Sequence, residues 1–343
     1  MKVLVIGGTG LISTAVTRFL AEHEDEVIIY TRGKREAELP HNIKRIVGDR
    51  NNTKMFEKQM VESGPFDCVI DMICFSPYDA ENAARIFRGR IEQYIFISTV
   101  DVYTKPAKFY PVTEDAEKEP SPSFTYGFNK AACEKLFLEA HRRNYFSLTT
   151  IRPAYTYGEG LGILHTFGWG TYFLDRVRRG KPVIVHGDGN SFWAACHRDD
   201  VARAIAGAVG NEKTFGKAYN VTGEEWMTWN IYHEKVAEAL DAPPLRIFHI
   251  PTDLLYKIAP KHAEWCMKNF QFNNIFNNEA AKIDLGFRYT VPFIEGVRRT
   301  ISWLEKHDGF ENSDDFPFYD KIIKAWQELC EGMKNSLLDE VMK

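Results

Sequence analysis

Thr99, Tyr126 and Lys130 stand in an order that suits proton transfer at a substrate oxygen. Tyr126 and Lys130 form a Tyr-x-x-x-Lys pair within Thr125–Arg142, a stretch that reads as a helix. Residues four apart share a helix face, so phenol and ammonium point into the same space. A phenol ionises near pH ~10, and an adjacent cation favours the phenolate, which makes Tyr126 an acid/base usable near neutrality. Lys130 is also placed to hold a ribose. Thr99 follows the expected strand Gln93–Ser98, so its hydroxyl would meet a substrate oxygen at the carboxyl edge of a sheet. Taken alone, a Tyr and a Lys four apart also fit an ordinary surface helix; the residues around them decide between the two readings.

The stretch that must position this set is MKVLVIGGTGLISTAVTRFL, residues 1–20. Val3–Ile6 is a short apolar run, as in a buried parallel strand. Gly7-Gly8-Thr9-Gly10 follows, and an apolar face begins near Leu11 and Ile12. Strand, glycine turn and helix form a context in which backbone amides approach a pyrophosphate at the positive helix end. Ser13 stands where the usual third glycine would be, and it is small enough for helix–strand packing.

Further strands are expected at Glu26–Tyr30, Ile43–Val47, Phe66–Ile73, Gln93–Ser98, Ser147–Ile151, Pro182–Val185 and Ala218–Val221. Helices are expected at Pro77–Arg88, Thr125–Arg142, Tyr172–Arg179, His197–Val209 (opened by Asp199 or Asp200), Trp229–Leu240, Thr252–Ile258, Val291–Lys306 and Phe318–Met342. Such alternation implies an α/β fold, a doubly wound parallel sheet of Rossmann type. The second strand ends without an acid: Tyr30 closes it, and Arg32 and Lys34 follow. An acid there would bind the 2′-hydroxyl of NAD and an Arg the 2′-phosphate of NADP, so NADP is the expected cofactor, with NAD open. Asp49 is placed either to take an adenine amino group or to cap the next helix.

A net charge of −4 over 343 residues argues against a broad nucleic-acid surface. No apolar run reaches the roughly 18 residues of a membrane span, and no leader precedes the first strand, so a cytoplasmic protein is expected. Six scattered cysteines without a Cys-x-x-Cys pair read as free thiols, and no metal-ligand spacing is present.

Over roughly residues 1–305 the chain resembles the extended short-chain dehydrogenases/reductases, also called NAD-dependent epimerases/dehydratases. The resemblance rests on Gly7-Gly8-Thr9-Gly10, Ile97-Ser98-Thr99 ahead of Val102-Tyr103, and Tyr126-x-x-x-Lys130. Arg152-Pro153-x-x-x-Tyr157-Gly158, His197-x-x-Asp200-Val201-Ala202 and Asn220-Val221-Thr222-Gly223 also match. The resemblance implies a smaller, discontinuous C-terminal substrate lobe: residues 1–155 and 191–222 would form the dinucleotide domain, 156–190 and 223–315 the lobe, and 316–343 a helical extension. It implies that Tyr126 carries the proton, Lys130 holds the ribose and tunes Tyr126, and Thr99 binds the reacting oxygen. Cofactor contacts would fall on Gly7, Gly10, Leu11, Ile12, Arg32, Lys34, Asp49, Arg50, Ile73, Lys130 and Arg152. Substrate contacts would fall on Ser98, Asp101, Tyr155, Trp169 and Trp193.

The departures narrow the activity. Sugar-nucleotide dehydratases of the family carry Asp-Glu after the Thr, where this chain has Val100 and Asp101, and Val cannot donate a proton. Tyr155 replaces an Asn, and Trp193 replaces an Arg that grips pyrophosphate in many members. The expected function is an NAD(P)-dependent oxidoreductase or epimerase acting on a small molecule, a sugar or glycoside, with a homodimer left open. The alternatives are an ordinary UDP-sugar 4-epimerase and a non-catalytic RNA-binding scaffold like the chloroplast stem-loop-binding proteins of this branch.

Overall fold

The computed structural model describes residues 1–341 except Glu24 and Glu36; side chains are described through residue 337. Met342, where the expected last helix ends, lies outside the described residues. The strands are β1 (Lys2–Ile6), β2 (Glu26–Thr31), β3 (Lys44–Val47), β4 (Cys68–Asp71), β5 (Gln93–Ile97), β6 (Ser147–Pro153), β7 (Tyr155–Tyr157), β8 (Val183–His186), β9 (Phe192–His197), β10 (Lys217–Val221), β11 (Trp226–Thr228) and β12 (Ile247–Ile250). The α-helices are α1 (Leu11–Glu22), α2 (Thr53–Ser63), α3 (Pro77–Phe87), α4 (Thr125–Arg142), α5 (Tyr172–Arg178), α6 (Arg198–Ala206), α7 (Trp229–Ala239), α8 (Thr252–Ile258), α9 (Pro260–Trp265), α10 (Glu279–Leu285), α11 (Phe293–Lys306) and α12 (Pro317–Val341).

The chain divides into two compact units. The first comprises Met1–Gly158, Ala194–Trp226 and Asn273–Phe293. Its sheet has seven strands in the order β10-β6-β5-β4-β1-β2-β3, and every pairing is parallel. Successive residues of β1 serve opposite faces, as the pleat requires. Val3 and Val5 pack with Ala15, Val16 and Leu20 of α1 and with Val201, Ala202 and Ile205 of α6. Leu4 and Ile6 pack on the other side with Phe56, Ala80, Ala83 and Phe137 from α2, α3 and α4. Both faces are thereby covered, which is the doubly wound arrangement that the sequence implied.

Asn273–Phe293 belongs to this unit and not, as expected, to a substrate lobe. Backbone pairing explains the difference. Val112 N–H donates to the Ile275 carbonyl at 2.8 Å, and Asn277 N–H donates back to the Val112 carbonyl at 2.9 Å. Farther along, the buried Asp200 carboxylate accepts from the backbone N–H groups of Thr290 and Val291. Helix α6 begins differently from expectation. It is capped by the His197 side chain, which accepts from Asp199 N–H, so Asp199 and Asp200 lie inside its first turn.

The second unit comprises Glu159–Trp193, Met227–Phe272 and Ile294–Lys343. Strands β8 and β12 pair in parallel within it, and β12 was not expected from the sequence. Its core is aromatic. Trp229 lies 4.9 Å from Trp193 and 5.0 Å from Phe270 between ring centroids. Helix α12 is anchored to this unit by its first turns, while residues 327–337 are exposed. The Tyr319 hydroxyl accepts from Ile184 N–H at 2.7 Å, and Asp320 pairs with the fully buried Arg176 at 2.7 Å. Among the described residues no helix is long and apolar enough to cross a membrane. Cys68, Cys74, Cys133, Cys196 and Cys266 are buried free thiols, and Cys330 is exposed.

Candidate functional site

The carboxyl ends of β1, β4 and β5 gather most of the expected residues. Sequence order reverses between β1 and β4, the kind of position where open α/β sheets bind ligands. Gly7 closes β1 with φ +93°, and a Cβ there would lie 2.6 Å from Ile73 Cγ2, just past β4. Glycine alone relieves both constraints. Gly10 is the N-cap of α1, and its N–H donates to Ser13 Oγ at 2.7 Å. Ser13 therefore does more than fill the third-glycine position: it occupies the Gly10 amide that was expected to face a pyrophosphate. The Leu11 and Ile12 amides lie in the first helical turn, where geometry supplies no intrahelical acceptor. The first turn contains no acidic residue. A positive-φ glycine and a helix start whose first turn carries no acid fit a dinucleotide pyrophosphate.

Arg32 and Lys34 are exposed beyond β2, free of the core. Tyr30, by contrast, is buried edge-on against Phe56 at 5.0 Å, and burial pushes its phenol up to about 12. Asp49 is exposed and accepts from Asn51 N–H at 3.0 Å. It does not cap α2, because Asn52 does, accepting from Met55 N–H.

Two expected cofactor ligands are committed elsewhere. Arg50 binds the buried Asp71 carboxylate through Nη1 at 2.9 and 3.1 Å, and Tyr94 donates to the same carboxylate at 2.6 Å. Arg152 grips Glu134 with two parallel bonds of 2.9 and 2.7 Å, and also donates to the Tyr103 hydroxyl and the Glu114 carbonyl. Buried guanidiniums need such forks to offset desolvation. Glu134 also accepts from Ser98 Oγ at 2.6 Å, so Ser98 is turned into this network and away from the expected substrate contact.

Thr99, Asp101, Tyr126 and Lys130 do come together at the end of β5. Thr99 is hydrogen-bonded to the Tyr126 hydroxyl. Lys130 Nζ donates to the Ile97 carbonyl at 2.7 Å and lies 4.7 and 4.9 Å from the Phe75 and Phe96 ring centroids. Burial lowers the Lys130 pKa. The Tyr126 phenol moves the other way from expectation: burial raises its pKa, Asp101 raises it further, and the Thr99 bond lowers it. The Tyr-x-x-x-Lys spacing thus brings both residues to one strand end without making Lys130 the dominant influence on Tyr126. Sequence reasoning missed Lys105, whose Nζ donates to Asp101 Oδ1 at 2.6 Å.

Of the remaining residues, Tyr155 is half-buried and stacks on Tyr157 at 5.9 Å. Trp169 and Trp193 belong to the second unit. Trp169 is half-buried and edge-on to Trp265 at 6.0 Å. Trp193 is only 4 % exposed and packs on Trp229 and Phe270, so it is a core residue and not a substrate surface.

A doubly wound sheet with a glycine turn at its switch point, and hydroxyl, Tyr and Lys at the adjacent strand end, defines a dinucleotide-dependent oxidoreductase scaffold. Residues 3–222 match the NAD dependent epimerase/dehydratase family, and the chain belongs to that family. It is an NAD-dependent enzyme of the extended short-chain dehydrogenase/reductase type. It is 27 % identical over 341 residues to the chloroplast stem-loop binding protein of 41 kDa b from Arabidopsis thaliana, covering 94 % of this chain and 84 % of the relative. It is 26 % identical over 243 residues to the 2'-dehydrokanamycin reductase of Streptomyces kanamyceticus, covering 71 % of this chain and 68 % of the relative. The fold is similar to that of a UDP-glucose 4-epimerase from Thermotoga maritima, with a TM-score of 0.70 and 22 % identity over 90 % of this chain and 99 % of the other.

Proposed function

We propose that the protein is an NAD(P)-dependent oxidoreductase or epimerase acting at a carbinol carbon of a sugar or sugar derivative. The observation that carries this reading is the hydrogen bond joining Tyr126 to Thr99 at the end of β5. Tyr126 takes the proton of the substrate hydroxyl or returns it to the ketone, and Thr99 orients the same oxygen. Gly7, Leu11, Ile12 and Ile73 would line the pyrophosphate turn, and Lys130 would hold a ribose. A bound nicotinamide supplies the hydride acceptor or donor for the carbinol carbon. Tyr126→Phe removes the proton carrier and should lower turnover by roughly 10²–10⁴-fold. Full turnover in that variant would overturn the assignment.

Arg32 and Lys34 support NADP(H) over NAD(H), because they offer cations to a 2′-phosphate where no acid awaits a 2′-hydroxyl. Isothermal titration with both cofactors tests this. A preference for NAD of about tenfold, which is about 1.4 kcal/mol, would refute it.

The substrate reading is a sugar or glycoside lacking the usual nucleotide diphosphate. A diphosphate needs charge-assisted donors, and Tyr155 and Trp193 stand where many members carry Asn and Arg. The likeness to a protein named as a reductase of a dehydro compound agrees with carbonyl chemistry. A thermal-shift screen of UDP-, GDP- and dTDP-sugars against free sugars and glycosides, with cofactor present, separates the readings. Stabilisation and turnover of one sugar nucleotide would restore the ordinary epimerase. The likeness to a stem-loop binding protein gives the screen a second arm. Tight, salt-sensitive binding of structured RNA without turnover would replace the enzymatic reading by a scaffold.

A further inference from the structure

The connection Thr104–Phe124 leaves the end of β5, and at its start Lys105 folds back on the strand end. Its Nζ donates to Asp101 Oδ1 at 2.6 Å, and the two side chains are 11 % and 10 % exposed. The other carboxylate oxygen, Asp101 Oδ2, accepts from Thr99 Oγ1 at 3.3 Å. Thr99 Oγ1 in turn accepts from Asp101 N–H at 3.2 Å and bonds to Tyr126. Lys105 Nζ also lies 3.5 Å from Asn274 Oδ1, on the segment that pairs with this connection. Lys105, Asp101, Thr99 and Tyr126 thus form one connected path within the first unit.

The two lysines near the strand end do different things. Lys130 directs its ammonium to the Ile97 carbonyl, beneath Phe75 and Phe96. Lys105 directs its ammonium to the carboxylate that is bonded to Thr99 and acts electrostatically on Tyr126. A carboxylate opposes formation of a phenolate, and a cation bound to that carboxylate offsets the opposition. Asp101 is the charged group that acts on Tyr126, and the same Asp101 is the charged group that acts on Lys105. Burial of Lys105 lowers its own pKa, and Asp101 holds the ammonium against that.

Building on the role given to Tyr126 above, we propose that Lys105 is a positioning residue that sets the ionisation of Tyr126 through Asp101 and Thr99. The pair supplies the charge balance that the Tyr-x-x-x-Lys spacing alone assigned to Lys130. Only the proton of Tyr126 moves to or from the substrate oxygen; Lys105 and Asp101 stay bonded to one another.

The test needs no substrate. Tyr126 is replaced site-specifically by 3,5-difluorotyrosine, and fluorine NMR follows ionisation of that phenol in the full chain. Lys105→Met should raise the midpoint by roughly one unit, within the range produced by loss of a neighbouring opposite charge. Lys105→Arg should restore it, and Asp101→Asn should lower it. A midpoint unmoved by Lys105→Met, or unmoved by Asp101→Asn, overturns the proposal. A second measurement works in the unlabelled protein: competitive acylation with acetic anhydride across pH, read at Lys105 by mass spectrometry. Asp101→Asn should make Lys105 reactive at lower pH, and an unchanged profile overturns the coupling. Neither measurement uses turnover, so failure here is distinct from retention of activity in Tyr126→Phe, which would overturn the function itself.

Discussion

Mild acid should destabilise the second unit, because three histidines are buried in its core. His165, His186 and His233 are 0, 1 and 0 % exposed. Burial holds His186 down to about 3 and His233 to about 4, and keeps His165 well below its ordinary value. Their rings lie against aromatic neighbours: His165 stacks on Phe173 at 4.7 Å, and His186 meets Trp229 at 4.9 Å. His233 Nδ1 bonds to the Trp229 carbonyl at 2.7 Å. In the unfolded chain each ring takes a proton near pH ~6.5. Below that value, and down to the folded values, the unfolded chain binds more protons than the native one. Stability is therefore complete above the unfolded value and falls as pH falls through this window. At pH ~5 each neutral histidine costs about RT ln(1 + 10^1.5), or about 2 kcal/mol, so three cost about 6 kcal/mol. The paired carboxylates Asp175 and Asp320 are shifted downward, so their contribution is lost only below about pH 4. The assay is urea unfolding at neutral pH and at about pH 5, followed by tryptophan fluorescence. Six of the 7 tryptophans (Trp169, Trp193, Trp229, Trp265, Trp303 and Trp326) lie in the second unit. His186→Phe and His233→Leu should each remove about 2 kcal/mol of the pH dependence. Equal stability at the two pH values, or a drop that survives unchanged in the double variant, would refute the reasoning.

Other perturbations separate structural residues from functional ones. Arg152→Met leaves the buried Glu134 carboxylate without its counter-charge, with only the Ser98 hydroxyl still donating to it, and should cost about 3–5 kcal/mol of stability in denaturant titration; Arg152 is thus a fold residue, and a cofactor affinity lost with no change in stability would contradict this. Tyr319→Phe leaves the Ile184 N–H without its acceptor and should lower the urea midpoint by the equivalent of about 1–3 kcal/mol. An unchanged midpoint would show that the first turns of α12 do not anchor it to this unit.

Local pattern in the sequence determined much of this protein. The apolar run Val3–Ile6, the glycine turn and the apolar face of α1 need only near neighbours to form, and they lie where the sequence placed them. The order of strands and helices implied the parallel sheet, because crossovers of that kind leave few topologies. Hydroxyl, Tyr and Lys reached the same strand end because each is carried by an element whose bounds were legible. The short strands β7, β9, β11 and β12 were not legible, since three to six residues carry little periodicity of their own. Nor could the sequence say which cation meets which anion. Arg152 meets Glu134, Arg50 meets Asp71 and Arg176 meets Asp320 across separations of 18, 21 and 144 residues. Those choices are made by burial: a charge taken out of water must find its partner in the folded neighbourhood, and chain order does not list that neighbourhood. For the same reason Trp193 went to the core and Asn273–Phe293 joined the sheet unit. Lys105 is only four residues from Asp101, and it was the burial of the two together that made them a pair.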